Sequence, residues 1–253
     1  MAYIDLNADI GESFGAWRMG LDTDLLSLVS SANIACGYHA GDPRTMTESV
    51  AHCLRHGVAI GAHPSYPDRE GFGRREMALS PREIREAVIY QVGALAGIAA
   101  AAGARLVHVK PHGALYNRAA IDAAAAEAIA CAVRDIDPSL ALVGLAGSLL
   151  PAAGRAAGLR VFEEGFADRR YTARGLLAPR GEAGAMIEDP AESAAQVLAM
   201  VCEGKVSAID GEPVMLRVDT VCLHGDGPQA VVFAHQLRRA LSGAGVVVRS
   251  PVA

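Results

Sequence analysis

Lysine is almost missing from this chain of 253 residues: it stands only at positions 110 and 205, and the remaining strongly basic side chains are arginines. That scarcity singles out Lys110, because a lysine shifts its pKa readily when buried. Aromatic residues make up only 5%, with one tryptophan, which disfavours an open sugar-binding cleft. The net charge is −5, so no basic stripe is available to neutralise phosphates, and a nucleic-acid partner is excluded. There is no uncharged apolar run of membrane-spanning length, and Asp5 and Asp9 interrupt the N-terminal stretch where a leader would lie. The expectation is a cytoplasmic protein with neither a bilayer span nor a signal peptide. Cysteines are scattered at Cys36, Cys53, Cys131, Cys202 and Cys222 with no C-x-x-C pair, which excludes a zinc knuckle and a disulfide framework. Neither G-x-x-x-x-G-K-[ST] nor G-x-G-x-x-G after a strand occurs, so nucleotide binding would need an unfamiliar mode or a partner chain.

What is present is apolar material, 51% of the residues, in short runs that alternate with longer Ala-rich stretches. That alternation signals parallel β/α units, and the length suits one (β/α) barrel. Candidate strands are Tyr3–Ala8, Ala32–Ala35, Val58–Gly61, Leu106–Lys110, Ala141–Leu145, Arg160–Glu163 and Thr220–Leu223, with a further one at Val246–Val248. Candidate helices are Pro43–His56, Pro81–Ala102, Ala119–Asp135, Ala191–Glu203 and Pro228–Ser242. Ser80, Pro81 and Glu83 form a start signal: a cap, a first-turn proline and the second half of a capping box. Gly103 supplies the stop. No linker or repeat divides the chain, so residues 1–253 read as one domain. The segment Asp168–Asp189, rich in Gly, Arg and Pro, reads as a long functional loop or an excursion from the barrel.

Polar residues gather where strands should end. Side chains alternate faces along a strand, so Asp5, Asn7 and Asp9 share one face while Ile4, Leu6 and Ala8 share the other. In a barrel wall the apolar set meets the outer helices and the polar set points inward. The same parity places His108, Lys110 and His112 together, and Thr220, Cys222, His224 and Asp226 repeat it. A buried lysine is costly unless paired, and the first-strand carboxylates are its natural partners. His39, His63, Lys110, His112, Glu163 and His224 all fall at or just past strand carboxyl ends, the face on which (β/α) barrels place their chemistry. His52, His56 and His235 sit on helices and read as surface residues.

Taken together, Asp5–Gly15, Ala32–Pro43, Gly61–Asp68 with Gly71–Arg75, Val109–Asn117, Glu164–Tyr171 and Leu223–Asp226 resemble, in order and across nearly the whole chain, the LamB/YcsF family. The combination is specific although each piece alone is weak. The resemblance implies a (β/α) barrel of the glycoside hydrolase/deacetylase kind, with room for a distorted seven-stranded form. It also implies a part in 5-oxoprolinase, an ATP-dependent amidohydrolase assembled with subunits B and C, which opens the lactam of 5-oxo-L-proline to L-glutamate. A homo-oligomer is left open.

Residue type then suggests roles. His63 or His112 suits a general base, Lys110 a charge stabiliser and Asp9 the orientation of an imidazole. Asp5, Asn7, His39, Glu163, His224 and Asp226 are candidates for substrate contacts. The cofactors expected are ATP and a divalent metal, either Mg²⁺ with the nucleotide or an ion held by Asp9, His39 and His63. Two other readings stay open: a stand-alone metal-dependent deacetylase or carbohydrate hydrolase, and a non-catalytic assembly subunit.

Overall fold

The structure is a computed structural model, described for residues 2–20, 22–223 and 230–251. In chain order its elements are β1 (Tyr3–Ile10), α1 (Asp22–Leu26), β2 (Ser31–Ala35), α2 (Pro43–His56), β3 (Ala59–His63), α3 (Pro81–Ala101), β4 (His108–Val109), α4 (Gly113–Ile121), α5 (Ala123–Ile136), β5 (Ala141–Leu145), α6 (Leu149–Ala156), β6 (Arg160–Phe166), α7 (Pro190–Leu198), β7 (Lys205–Ser207), β8 (Pro213–Met215), β9 (Thr220–Leu223), α8 (Ala230–Gly243) and β10 (Val247–Val248). Strands β1 to β6 follow one another around a parallel sheet, and β9 closes it by pairing with both β6 and β1. The barrel therefore has seven strands, as the distorted form requires. β10 extends the N-terminal end of β1, with Tyr3 opposite Val247.

Local chemistry explains the helices. α2 starts at Asp42, whose side chain accepts from the Thr45 amide, with Pro43 in its first turn. α3 has the full capping box of Ser80 and Glu83. Its length and composition would suffice for a bilayer span, yet Ile84, Val88, Val92, Leu95 and Ala99 are buried in the protein core. The stretch expected as one helix over Ala119–Asp135 is two. Asp122 ends α4 and caps α5, accepting from the amides of Ala124 and Ala125. Alanines on both sides of Ile121 and Asp122 hide this break, because propensity alone favours continuing through it. Two short helices, α1 and α6, and the antiparallel hairpin β7–β8 also escape the sequence patterns.

The segment after β6 is an excursion. It folds on itself through the bridges Arg169–Met186 and Tyr171–Leu177 and is tied to α7 where Ser193 Oγ donates to the Ala167 carbonyl at 2.8 Å. Its residues Leu177 to Arg180 come to line the barrel mouth.

Candidate active site

The inward face of β1 begins a polar column instead of an apolar core. Asp5 accepts from the hydroxyls of Ser30 at 2.7 Å, Ser31 at 2.7 Å and Thr220 at 2.6 Å. Burial nevertheless raises its pKa, only partly offset by those hydroxyls. Asn7 donates to Thr220 Oγ1 at 2.7 Å and to Glu164 Oε1 at 3.0 Å. Its own Oδ1 accepts from Asn33 at 2.7 Å. His108 donates through Nε2 to Asn33 Oδ1 at 2.7 Å. Burial, then the charge of Lys110, pushes His108 down to about 3, so its imidazole is neutral. Gly61 makes room for that ring: a Cβ there would lie 2.0 Å from His108 Nε2.

Above this layer sits Lys110, 2% exposed. Its Nζ lies 3.0 Å from Asp9 Oδ1, 2.9 Å from Glu164 Oε1, 3.2 Å from Asn7 Oδ1 and 3.1 Å from Cys222 Sγ. Burial works against its charge, but Asp9, Cys222 and Glu164 outweigh that and hold Lys110 well above its ordinary value. The Tyr116 hydroxyl donates to Glu164 Oε2 at 2.7 Å. The first-strand carboxylate expected to pair with the lysine does so, joined by Glu164.

At the mouth, three imidazoles and two carboxylates meet. His63 uses Nδ1 to donate to the Lys110 carbonyl at 2.7 Å, and His112 uses Nε2 to donate to the Phe72 carbonyl at 2.9 Å. Those carbonyls can only accept, so they fix both tautomers. In the neutral rings, the remaining nitrogens, His63 Nε2 and His112 Nδ1, carry lone pairs, yet they face each other at 3.0 Å. Asp9 Oδ2 is 3.2 Å from the former and Glu12 Oε1 is 3.8 Å from the latter. His39 stacks on His112 with centroids 3.8 Å apart and brings Nε2 to 3.4 Å from Glu12 Oε1, while neither of its nitrogens makes a hydrogen bond. Burial holds both His39 and His112 well below the ordinary imidazole pKa. Electron pairs converging at such distances need a cation, either a shared proton or a metal. The Glu12, His39, His63 and His112 donor atoms all lie within 4.8 Å of one another and could hold a metal ion.

The backbone shapes this cluster. Phe72, the one non-glycine residue with positive φ (55°) among those described, presents its carbonyl to His112. Gly73, at φ 65°, lies where a Cβ would come within 2.2 Å of Ser65 Oγ and 2.9 Å of His112 Cδ2. A cavity of about 580 Å³ opens above, lined by Asp9, His63, Lys110, His112, Tyr116 and Phe166, with Arg74, Arg169 and Arg180 among its other walls.

The expected residues are thus partly gathered. Asp9, His39, His63, Lys110 and His112 meet at one barrel end. Asp5 and Asn7 do not line the cavity; their hydrogen bonds are spent in the column beneath, where Asp5 holds Ser30, Ser31 and Thr220 and Asn7 positions Asn33 and Lys110. Glu163 is a correction. Its side chain lies outside the barrel, paired with Arg155 and accepting from the Gly147 amide at 2.8 Å. Glu164, one residue on, points inward, because β6 alternates and Phe162, Glu164 and Phe166 take the inner face. The register could have shown this, since Glu164 lies opposite the inward-facing Thr220. Sequence patterns do not single out Glu12, Asn33, Tyr116 and Arg169. Asn33, a lone amide in an apolar strand, gives the plainest hint of the four. His224 and Asp226 lie outside the described residues.

Comparison with known proteins agrees with this geometry. The chain matches the LamB/YcsF family model over residues 4–253. It is 64% identical to the 5-oxoprolinase A subunit of Methylococcus capsulatus, over 97% of this chain and 94% of that one. With the corresponding 5-oxoprolinase A subunit of Bordetella pertussis it shares 59% identity over 98% of both. The crystal structure of the lactam utilization protein from Thermus thermophilus superposes with a TM-score of 0.92 at 52% identity, covering 98% of this chain and 99% of that one. A match of that extent leaves no stretch of the barrel unaccounted for, and the chain is a member of the LamB/YcsF family.

Proposed function

We propose that this chain is the A subunit of a cytoplasmic, ATP-dependent 5-oxoprolinase. With subunits B and C it would hydrolyse the lactam of 5-oxo-L-proline to L-glutamate. Full-length relatives that carry the name of the 5-oxoprolinase A subunit support the reading. The observation that carries it is the buried Lys110 ammonium beside two imidazoles on a cavity of small-molecule size.

A five-membered lactam is a poor electrophile. Transfer of the ATP γ-phosphoryl group to its carbonyl oxygen would release ADP and convert that oxygen into a leaving group, which accounts for the coupling. The missing phosphate-binding loop favours the partner subunits as the site of that transfer. Water then adds to the carbonyl carbon and the ring nitrogen departs as an amine, leaving an acyl phosphate that a second water cleaves to glutamate and inorganic phosphate. Ring opening needs a base for water, a cation for developing negative charge and an acid for the departing nitrogen. His63 Nε2 accepts the proton from water and returns it to the ring nitrogen. Asp9 bridges that imidazole and Lys110, orienting the first and helping to fix the second. Lys110 stabilises the oxyanion. Glu12, His39, His63 and His112 could instead hold a divalent ion; His63 Nε2 would then be one of its ligands, and the ion would supply the activation of water in place of that base.

The same cluster favours one other reading, a stand-alone metal-dependent amide hydrolase such as a deacetylase. One assay separates them: glutamate release from 5-oxo-L-proline with and without ATP, B and C. The expected result is release only when all are present, and a fall of roughly 10²–10⁴-fold for His63→Ala. Hydrolysis by this chain alone without ATP would replace the proposal with the second reading.

A further inference from the structure

One cation of the mouth has no counterpart in the chemistry above. Arg169 leaves the end of β6 and is only 4% exposed. Its Nη2 donates to the Ala178 carbonyl at 2.6 Å, while its buried Nε has no hydrogen-bond partner. Among the described residues no carboxylate forms an ion pair with it. A guanidinium is costly to bury without one. Burial and the positive charges of Arg180 and Arg74 bring its pKa down to about 10, with Asp168 acting in the opposite sense. It is therefore still cationic at neutral pH. Arg74 and Arg180 line the same cavity as Arg169 and Lys110, and among the described residues its carboxylates are Asp9, at the lysine, and Glu76. Arg74 is itself placed over the Phe72 ring, 4.9 Å from its centroid.

We propose that Arg169, flanked by Arg74 and Arg180, is an oxyanion receptor at the barrel mouth, taking a carboxylate or phosphoryl group of the bound ligand. A planar guanidinium suits either, because its N–H fork matches two oxygens at once. The ligand supplies a counter-charge that no described carboxylate brings into ion-pair contact with Arg169, so an uncharged analogue would lack that pairing. The receptor rests on the proposed function only in naming two sources: the carboxylate of the lactam and a transferred phosphoryl group.

The test is calorimetric titration of wild type, Arg169→Met, Arg169→Lys and Arg180→Met with three probes: 5-oxo-L-proline, 2-pyrrolidinone (the same ring without a carboxylate) and inorganic phosphate. Thermal melts check folding, and Arg180→Met leaves the Ala178 bond intact. The expected result is that wild type prefers 5-oxo-L-proline over 2-pyrrolidinone and that Arg169→Met weakens 5-oxo-L-proline by about 10- to 100-fold. Arg169→Lys and Arg180→Met should fall between. Loss confined to phosphate would support the receptor with the phosphoryl source instead. Failure of both anions to bind wild type, or binding that Arg169→Met leaves within about twofold, overturns the proposal. The lactam reading is judged separately by the glutamate-release assay. An Arg169-dependent anion site without glutamate release would remove that reading and leave the receptor standing.

Discussion

Lys110→Met is the sharpest perturbation of this barrel, because it removes a charge and keeps most of the volume. In the wild type the ammonium lies between Asp9 and Glu164, 3.0 Å and 2.9 Å away. Without it, two buried carboxylates face each other with no cation between them. Removing one partner of a buried pair costs about 3–5 kcal/mol. Unfolding entropy of roughly 2.1 cal/mol/K per residue gives about 0.5 kcal/mol/K for a chain of this size. The melting temperature at pH 7 should therefore drop by about 6–9 °C, read by calorimetry or circular dichroism. The raised Lys110 pKa means that the wild-type contribution is fully present below the ordinary lysine value of 10.5 and is lost only as pH rises through the higher folded value. Neutral pH thus reports it whole. Adding Glu164→Gln leaves one carboxylate where there were two and keeps an acceptor for Tyr116, so at least half of the loss should return. If Lys110→Met melts within about 2 °C of wild type, or Glu164→Gln deepens the loss, the ion-pair account fails.

Acidification should weaken the fold through His108, whose value near 3 lies below the unfolded value of 6.5. Its stabilisation is present above pH 6.5 and is lost as pH falls toward 3, about 2 kcal/mol of it by pH 5. Urea melts in EDTA at pH 8 and pH 5 should show a smaller drop for His108→Gln by that amount, and equal drops would refute the assignment. Gly61→Ala drives a methyl into the His108 ring and should cost about 1–3 kcal/mol; an unchanged melt would show that the ring has room to move. Protein stripped with EDTA, reloaded with Zn²⁺ and desalted should retain about one equivalent by elemental analysis, with the ion lost in His63→Ala and Glu12→Gln. Equal retention in both variants would mean that the cluster is held by a proton.

Much of this was written along the chain. Period-two alternation in Tyr3–Asp9 and Leu106–His112 was enough to say which side chains point inward, since a barrel strand has only two faces. It also implied that a lone buried lysine would seek the β1 carboxylates. The places of the barrel strands and the capped start of α3 followed from equally local signals. What local signals leave undecided is the choice between neighbours of equal chemistry and the meeting of distant loops. Glu163 and Glu164 are the same residue type one step apart, and only pairing with Thr220 decides which enters the barrel. Glu12 joins His39, His63 and His112 because turns after three strands bring them to one point, and no spacing in the chain encodes that distance. Arg169 looks like any loop arginine until the excursion after β6 folds over the mouth and buries it. Sequence determines which groups each strand presents, because parity is a property of the strand; the closed barrel decides which groups touch, because contact depends on register and on turns between elements far apart in the chain.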